Sequence, residues 1–445
     1  MKMPILFLRA SALLVLILSL TAPAAASQLA MRETLANGMV VLHTERHSLP
    51  MVSVVMAVKA GSVVEPGDKA GLAYLAAALL NEGTIRRTSR QISEEIEFVG
   101  GSLSASGGTD YATISLTVLK KDIDLGFDLL ADIVMNSSFR EDEIARKKLI
   151  IKNWLIQQNE EPGVVASIAF SRAVFGAHPY GRQVQGTIET LDTITRQDLV
   201  SFHDTYFAPN NAIISVAGDL SRDELSTLLS RYFGRWQEKQ LPEVTLPPVE
   251  AKRKPEVIKI SRDLTQANII LGHIGIARDN PDYYAAAVMN YILGGGGFAS
   301  RLMDNIRDNR GLAYDVHSSF SATRYGGDFE AGLQTKNESA NIAIAEVINE
   351  MERIRKEPVS DKELADAKSF MTGNFPLRID SNSKIAGFNL SVEYYGLGLD
   401  YADRYPSLIN AITKEDILRV AKKYLDPANY VLVVVGDMEK TKLKY

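Results

Sequence analysis

The chain has 445 residues, of which 46% are hydrophobic and 23% charged, and its formal net charge is −5. This length suggests roughly two to four domains of a globular protein. The acidic balance argues against a nucleic-acid partner, which requires a basic surface, and the absence of cysteine excludes disulfides, thiolate zinc sites and cysteine nucleophiles.

Residues 1–26 have the layout of a secretory signal peptide. Lys2 and Arg9 precede an apolar run from Ala10 to Leu20, and the small residues of "TAPAAAS" predict cleavage after Ala26. The run is shorter than the roughly 20 residues that span a bilayer, so a stable membrane anchor is not expected. The sequence therefore predicts an exported, periplasmic protein.

Beyond this leader, strand-like segments alternate with helical patterns. The strand-like "GMVVLHTE" and "MVSVVMAVKAG" precede "GLAYLAAALLNEGT", Gly71 to Thr84, which predicts an Ala/Leu-rich helix followed by a turn. "DYATISLTVL" is a further predicted strand. We expect each half of the chain to be an α+β layer of sheet and packed helices.

Two segments of the chain repeat each other at a constant offset without a gap. Each predicts a Thr-capped helix, a Pro-Asn turn and a β-branched strand that ends in Gly-Asp. The identical pairs are Thr195/Thr413, Asp198/Asp416, Tyr206/Tyr424, Pro209/Pro427, Asn211/Asn429, Val216/Val434, Gly218/Gly436 and Asp219/Asp437. The repeat indicates an internal duplication into two homologous domains.

The domain boundaries follow from a segment between the two copies. Residues 237–256 are rich in proline and charge and lack periodicity, which predicts a linker between an N-terminal domain at 27–236 and a C-terminal domain at 257–445. Two such lobes predict a clamshell that closes about the linker, with the binding site in the cleft.

Several blocks of sequence resemble the pitrilysin/insulinase metallopeptidases, particularly the mitochondrial-processing-peptidase-like bacterial members. The resemblance runs from about Leu35 to Asp437. It is carried by "NGMVVLHTERHSLPMVSVVMAVKAGS", "GLAYLAAALLNEGT", "FGAHPYGRQVQGTIETLDTIT", "YFAPNNAIISVAGDL" and "YILGGGGFASRLMDNIRDNRGLAYDVHSSF". It implies two sheet-plus-helix halves per chain and an activity centred on zinc.

The zinc motif of active members, His-x-x-Glu-His, is degenerate in this chain. The resemblance places Tyr74, Ala77 and Ala78 at the first histidine, the general-base glutamate and the second histidine. A neutral phenol and two alanines cannot bind zinc or activate water. The third ligand, a glutamate in the family, falls around Asn153 and Trp154, which are not carboxylates. No metal is therefore expected in this chain.

Other candidate sites in the sequence are weaker. His43 and His47 are close together but have no evident third ligand, so we expect a scattered surface pair. His178 is expected to stabilise a loop. The glycine-rich run from Leu293 to Phe298 lacks the Gly-Lys-Ser/Thr ending of a phosphate-binding loop and predicts a turn instead.

Arg307 and Tyr314 stand on either side of Gly311, which has the position of a helix C-terminal glycine before a strand. The pair is similar to the family's Arg/Tyr pair, which the resemblance implies reaches the substrate backbone beside the zinc. A guanidinium and a phenol can donate hydrogen bonds to a peptide carbonyl. The alternative is that Tyr314 packs inward with Val316 and Phe320 and that Arg307 is a solvated helix charge.

The resemblance implies a zinc-free, catalytically incomplete subunit of an exported heterodimeric metallopeptidase. A partner subunit would bring the zinc and hydrolyse peptides or unfolded polypeptides, while this chain would bring Arg307 and Tyr314. No zinc-hydrolase activity is expected from this chain alone. The alternative is a noncatalytic peptide-binding or scaffolding protein of the same fold.

Overall fold

The structure, a computed structural model, describes residues 29–445. The predicted signal peptide and its cleavage position lie outside the described residues. Within residues 29–445, no helix combines the length and the apolar character needed to cross a membrane.

The N-terminal half contains a six-stranded sheet in the order β1-β2-β6-β3-β5-β4. Strands β2 and β6 are parallel, and the other neighbours are antiparallel. The strands are β1 (Met31–Thr34), β2 (Val40–Glu45), β3 (Met51–Val58), β4 (Ser102–Gly107), β5 (Ala112–Leu119) and β6 (Ala212–Gly218). Strand β4 forms one open edge of this sheet.

Helices of this half cover one face of the sheet and enclose a large apolar core. The helices of the half are α1 (Leu72–Leu79), α2 (Ser89–Phe98), α3 (Ile123–Met135), α4 (Glu141–Glu160), α5 (Pro162–Phe175), α6 (Ile188–Thr193), α7 (Arg196–Tyr206) and α8 (Arg222–Phe233). Helix α1 packs against β4, α4 and α7, so the segment of greatest interest in the sequence lies inside this layer.

The C-terminal half contains a five-stranded sheet in the order β7-β11-β8-β10-β9. Its strands are β7 (Glu256–Ser261), β8 (Gln266–Ile274), β9 (Ala313–Phe320), β10 (Asp328–Lys336) and β11 (Val431–Gly436). Its helices are α9 (Tyr283–Asn290), α10 (Ala340–Lys356), α11 (Asp361–Gly373), α12 (Asn382–Tyr394), α13 (Tyr401–Asn410), α14 (Lys414–Tyr424) and α15 (Met438–Thr441). Strand β9 is an open edge.

The two sheets share one arrangement once β1 is set aside. Each has a parallel outer pair, β2/β6 or β7/β11, followed by three antiparallel strands of which the last is an edge. The repeated sequence segments occupy equivalent places, because Thr195 caps α7 before β6 and Thr413 caps α14 before β11, each through a capping box. The α+β architecture with two sheet-plus-helix halves is confirmed.

Each half also lends a helix to the other half. Helix α12 of the C-terminal half packs on β2, β3 and β6 of the N-terminal sheet. Its buried side chains, Ile385, Leu390 and Tyr394 among them, form an apolar cluster with strand residues of that sheet. Asn389 donates to the Thr44 hydroxyl at 2.9 Å within this contact between a helix of one half and the sheet of the other, which we call a seam.

The reciprocal seam is made by α5 of the N-terminal half, which packs on β8 and β11 of the C-terminal sheet. Phe170 and Val174 of α5 join Val431, Val433 and Val435 in an apolar cluster. Gly272 in β8 makes room for this helix, since a Cβ there would lie 2.8 Å from the Phe170 ring.

These two seams, more than the segment between the halves, hold the clamshell together. Between Phe233 and Glu256 the described chain has no helix or strand. Within it, the Lys239 N–H donates to the Asn210 side-chain oxygen, and the Asn210 side-chain amide donates to the Lys239 carbonyl. Movement of the lobes about residues 237–256 would have to break the buried contacts of both seams.

Candidate functional site

Helix α1 carries the degenerate motif on a face directed toward the edge of the N-terminal sheet. Tyr74 and Ala78, one turn apart, are half-buried, and Ala77 is fully buried. Strand β4 runs against this helix so closely that a Cβ at Gly107 would lie 2.5 Å from the Tyr74 Cα. The face therefore holds a phenol and methyl groups beside an open sheet edge.

The start of α1 is fixed by a buried carboxylate. Gly71 precedes the helix with φ of +96°, and Glu65 accepts hydrogen bonds from the backbone N–H groups of Gly71 at 3.0 Å and Ala73 at 2.9 Å. Burial raises the pKa of Glu65 to about 7, although these bonds act in the opposite direction. The carboxyl group orders the start of the helix through these two hydrogen bonds.

The position expected for a third metal ligand is also unsuitable for zinc. Asn153 and Trp154 lie on α4, which packs against α1, and both side chains are exposed. Among the described residues, no group of three or more His, Cys, Asp and Glu side chains is placed to hold a metal ion. The phenol of Tyr74 and the two alanine methyl groups do not fit a zinc ion.

The histidines serve as local hydrogen-bonding groups. The expectation of a surface pair is wrong for His43, which is buried in the sheet with its Nε2 at 2.8 Å from the Leu220 carbonyl. His47 is exposed between Asp219 and Glu45, and the hydrogen bond to Asp219 is the main cause that raises its pKa. His178 accepts from the Tyr180 N–H at 3.2 Å and so caps a short turn.

Arg307 and Tyr314 come together on the edge of the C-terminal sheet. Arg307 lies on a π-helical turn, Met303–Asn309, which is followed by Gly311 with φ of +60°. Its guanidinium carbon lies 5.2 Å from the centre of the Tyr314 ring and 4.7 Å from that of Phe298. The three side chains form a cation–π cluster, which we call the Arg–Tyr cluster.

The Tyr314 ring points outward because β9 contains a bulge. Val316 pairs with Leu333 and Ala313 pairs with Thr335, so Tyr314 and Asp315 together oppose the single residue Gln334. The extra residue breaks the alternation of faces, and Tyr314 is 85% exposed while Val316 is buried. The alternative in which Tyr314 packs inward with Val316 is therefore wrong.

The structure thus brings Arg307 and Tyr314 together, and Tyr74, Ala77 and Ala78 together, as two separate sets. Tyr74 packs against the N-terminal core, whereas the Arg–Tyr cluster belongs to the C-terminal half. The glycine-rich run contributes a residue that sequence reasoning missed, since Phe298 at its end is the second ring on Arg307. Its position directly after four glycines is the signal that could have identified it.

Comparisons with known proteins agree on one family over most of the chain. Residues 40–188 match the family described as "Insulinase (Peptidase family M16)", and residues 193–371 match the one described as "Peptidase M16 inactive domain". An uncharacterized zinc protease of Mycobacterium leprae is 29% identical over 92% of each chain. A Helicobacter pylori protein described as a non-peptidase homolog is 27% identical over 90% of this chain and 93% of its own.

A solved structure from Pseudomonas fluorescens, titled a peptidase M16 inactive domain, is similar along nearly its whole length. It has a TM-score of 0.86 and 29% identity and covers 92% of this chain and 98% of its own. A Helicobacter pylori protease structure has a TM-score of 0.85 at 21% identity and shares the fold.

Proposed function

Because this chain belongs to the insulinase family of peptidases, family M16, with a degenerate zinc motif, we propose that it is the zinc-free subunit of an exported two-chain peptidase. A zinc-bearing family member is the partner and hydrolyses the peptide bond. This chain supplies Arg307 and Tyr314 to the shared site and lacks hydrolytic activity alone.

The observation that carries this proposal is the outward presentation of the Arg–Tyr cluster. Tyr314 exposes most of its surface on an edge strand, and the bulge at Tyr314 and Asp315 directs it away from the core. Bulges that re-aim a side chain recur beside active sites. Arg307 lies beside the Phe298 and Tyr314 rings and 3.6 Å from Asp308. Its guanidinium has further donors for a peptide carbonyl and for the oxyanion that develops during hydrolysis.

The open edges support a peptide or unfolded polypeptide as the substrate. Strand β4 beside Tyr74 and strand β9 beside Arg307 are each the last strand of their sheet. Side-chain amides occupy one outward carbonyl on each edge, since Asn81 donates to Leu103 and Asn290 donates to Ser318. An extended peptide can pair with such an edge through main-chain hydrogen bonds and with little demand on sequence.

A second candidate function is noncatalytic peptide binding or scaffolding without a zinc-bearing partner. It is favoured by the dense packing of α1, where Ala73, Ala76 and Ala77 are completely buried, and by the description of the Helicobacter pylori relative as a non-peptidase homolog. It uses the same sheet edges but assigns no role to the exposed Arg–Tyr cluster.

The test is reconstitution with a His-x-x-Glu-His family member from the same genome. We expect no hydrolysis of a quenched fluorescent peptide by this chain alone and hydrolysis by the mixture. Arg307→Ala and Tyr314→Phe should each lower kcat/KM by about tenfold or more, a loss of about 1.4 kcal/mol of transition-state stabilisation. Arg310→Ala, which removes an exposed arginine of the same segment, is the matched control.

Two outcomes separate the candidates. Unchanged activity of the mixture with both variants would refute the shared site. Peptide binding by the isolated chain that is insensitive to Arg307→Ala, together with no activity in the mixture, would favour the noncatalytic function.

A further inference from the structure

A cavity of about 420 Å³ lies where the two halves meet, and neither the Arg–Tyr cluster nor Tyr74, Ala77 and Ala78 line it. The N-terminal half lines it with the β4–β5 loop at Gly108–Tyr111, with Ser171 and Phe175 of α5 and with Tyr180. The C-terminal half adds Thr323 and Asp328 from the β9–β10 hairpin and Tyr395 after α12. Its size and its place between two halves are typical of small-molecule sites.

Two carboxyl groups line this cavity, and that of Asp328 has no partner among the described residues. In β10, Phe329 points into the C-terminal core, so the neighbouring Asp328 faces the opposite side of the sheet, where α5 packs. Within residues 29–445 no hydrogen bond or ion pair reaches the Asp328 carboxyl. Burial, with a smaller contribution from Glu330, raises its pKa to about 7.

The second carboxylate of the cavity, Asp110, is already hydrogen-bonded to Tyr180, an aromatic side chain that lines the cavity. Tyr180 donates to Asp110 Oδ1 at 2.7 Å and its oxygen accepts from the Tyr325 N–H at 3.3 Å. The Tyr180 ring packs edge-on against Phe175, at 5.7 Å between centres. Tyr180 is therefore a fixed wall and engages Asp110, whereas no hydrogen bond among residues 29–445 engages the Asp328 carboxyl.

We propose that this cavity binds an organic cation, an aliphatic ammonium group, with Asp328 as its counter-ion and the rings of Tyr111, Tyr180 and Tyr395 as its walls. The Asp328 carboxylate offers the ammonium an ion pair and charge-assisted hydrogen bonds. Aromatic rings attract a cation and can pack against its alkyl chain, whereas they repel a polar anion. The ammonium group can come from a free amine or from a lysine side chain of a peptide.

This inference does not depend on the shared peptidase site, since it concerns a different cavity and needs no partner subunit. Its test is calorimetric titration of the full mature chain with pentylamine, with pentanol as the neutral analogue and with Nα-acetyl-lysine methylamide as the peptide form. We expect saturable binding of pentylamine with a Kd of about 1 mM or tighter and none of pentanol. Binding of the lysine derivative identifies a peptide source, and its failure beside pentylamine binding identifies a free amine.

Two variants locate the site. Asp328→Asn keeps the shape, removes the charge and should weaken pentylamine binding about tenfold or more, whereas Asp142→Asn changes an exposed carboxylate and should leave it unchanged. Ser171→Phe fills the cavity from α5 with the charge intact and should also abolish binding. Equal binding of pentanol, full binding by both site variants, or no saturable binding of pentylamine would overturn the proposal.

Discussion

Replacing Phe170 with alanine tests whether the exchanged helices hold the two halves together. The side chain is 1% exposed and lies between α5 and β8, where Gly272 leaves the space for its ring. Because the surrounding strands cannot collapse fully into the vacated volume, truncation of a buried phenylalanine costs about 3–5 kcal/mol. That is a large part of the stability of a typical domain, about 5–15 kcal/mol.

The effect should appear in the half that does not contain the mutated residue. Hydrogen exchange of the amides in β8 and β11 should accelerate, because the C-terminal sheet loses the cover that α5 provides. Phe98→Ala is the matched control, since that ring is 92% exposed and its loss should change the free energy of unfolding by less than about 0.5 kcal/mol. Denaturant titration measures the total loss and exchange mass spectrometry measures its location.

The result that refutes this reasoning is specific. A loss of stability confined to α5, with unchanged exchange in β8 and β11, would mean that the C-terminal sheet does not rely on the exchanged helix. The reciprocal variant, Leu390→Ala in α12, should produce the mirror-image result in β2, β3 and β6. The two losses should add, since the seams share no residues.

Three other changes give further expected outcomes. The pKa of Glu65 is about 7 in the folded state and 4.5 ordinarily, so the folded state binds the extra proton between these pH values. The free energy of unfolding should therefore fall by about 3 kcal/mol as the pH rises from 4.5 to 7. Glu65→Gln should remove this dependence, as measured by denaturant titrations across that range. Gly107→Val should lower the free energy of unfolding by about 1–3 kcal/mol because its Cβ would overlap the Tyr74 backbone, whereas Gly373→Ala, with open space around it, should raise it slightly. The triple variant Tyr74→His, Ala77→Glu, Ala78→His should bind no stoichiometric zinc by metal analysis, since a third ligand is missing among the described residues. It should also be less stable than the parent chain, because Ala77 is completely buried.

Local features of the fold were predictable where one short segment determines them. Thr195 and Thr413 predict the starts of α7 and α14, because a capping box needs only four neighbouring residues. Gly311 announces the change from helix to strand because its positive φ suits glycine. The resemblance singled out Tyr74 and Ala78, and their spacing of four residues places them on one face of the predicted helix α1.

Features that depend on distant partners escaped the sequence. The bulge that turns Tyr314 outward exists only because of how β9 pairs with β10, and strict alternation places that ring on the wrong face. His43 is buried because its strand lies inside the sheet and the Leu220 carbonyl meets its ring. Nothing in the sequences of α5 and α12 says that each helix packs on the sheet of the other half.

The exchange of α5 and α12 also constrains how the chain is made. The N-terminal sheet precedes α12 in the chain, so the strand residues Leu42, Val55 and Ile213 stay uncovered until residues 382–394 are present to pack on them. A truncated chain that ends before this helix would carry an apolar sheet face that attracts chaperones, proteases or other nascent chains. The apolar face of the N-terminal sheet is thus covered only when the last part of the chain, with α12, has been completed.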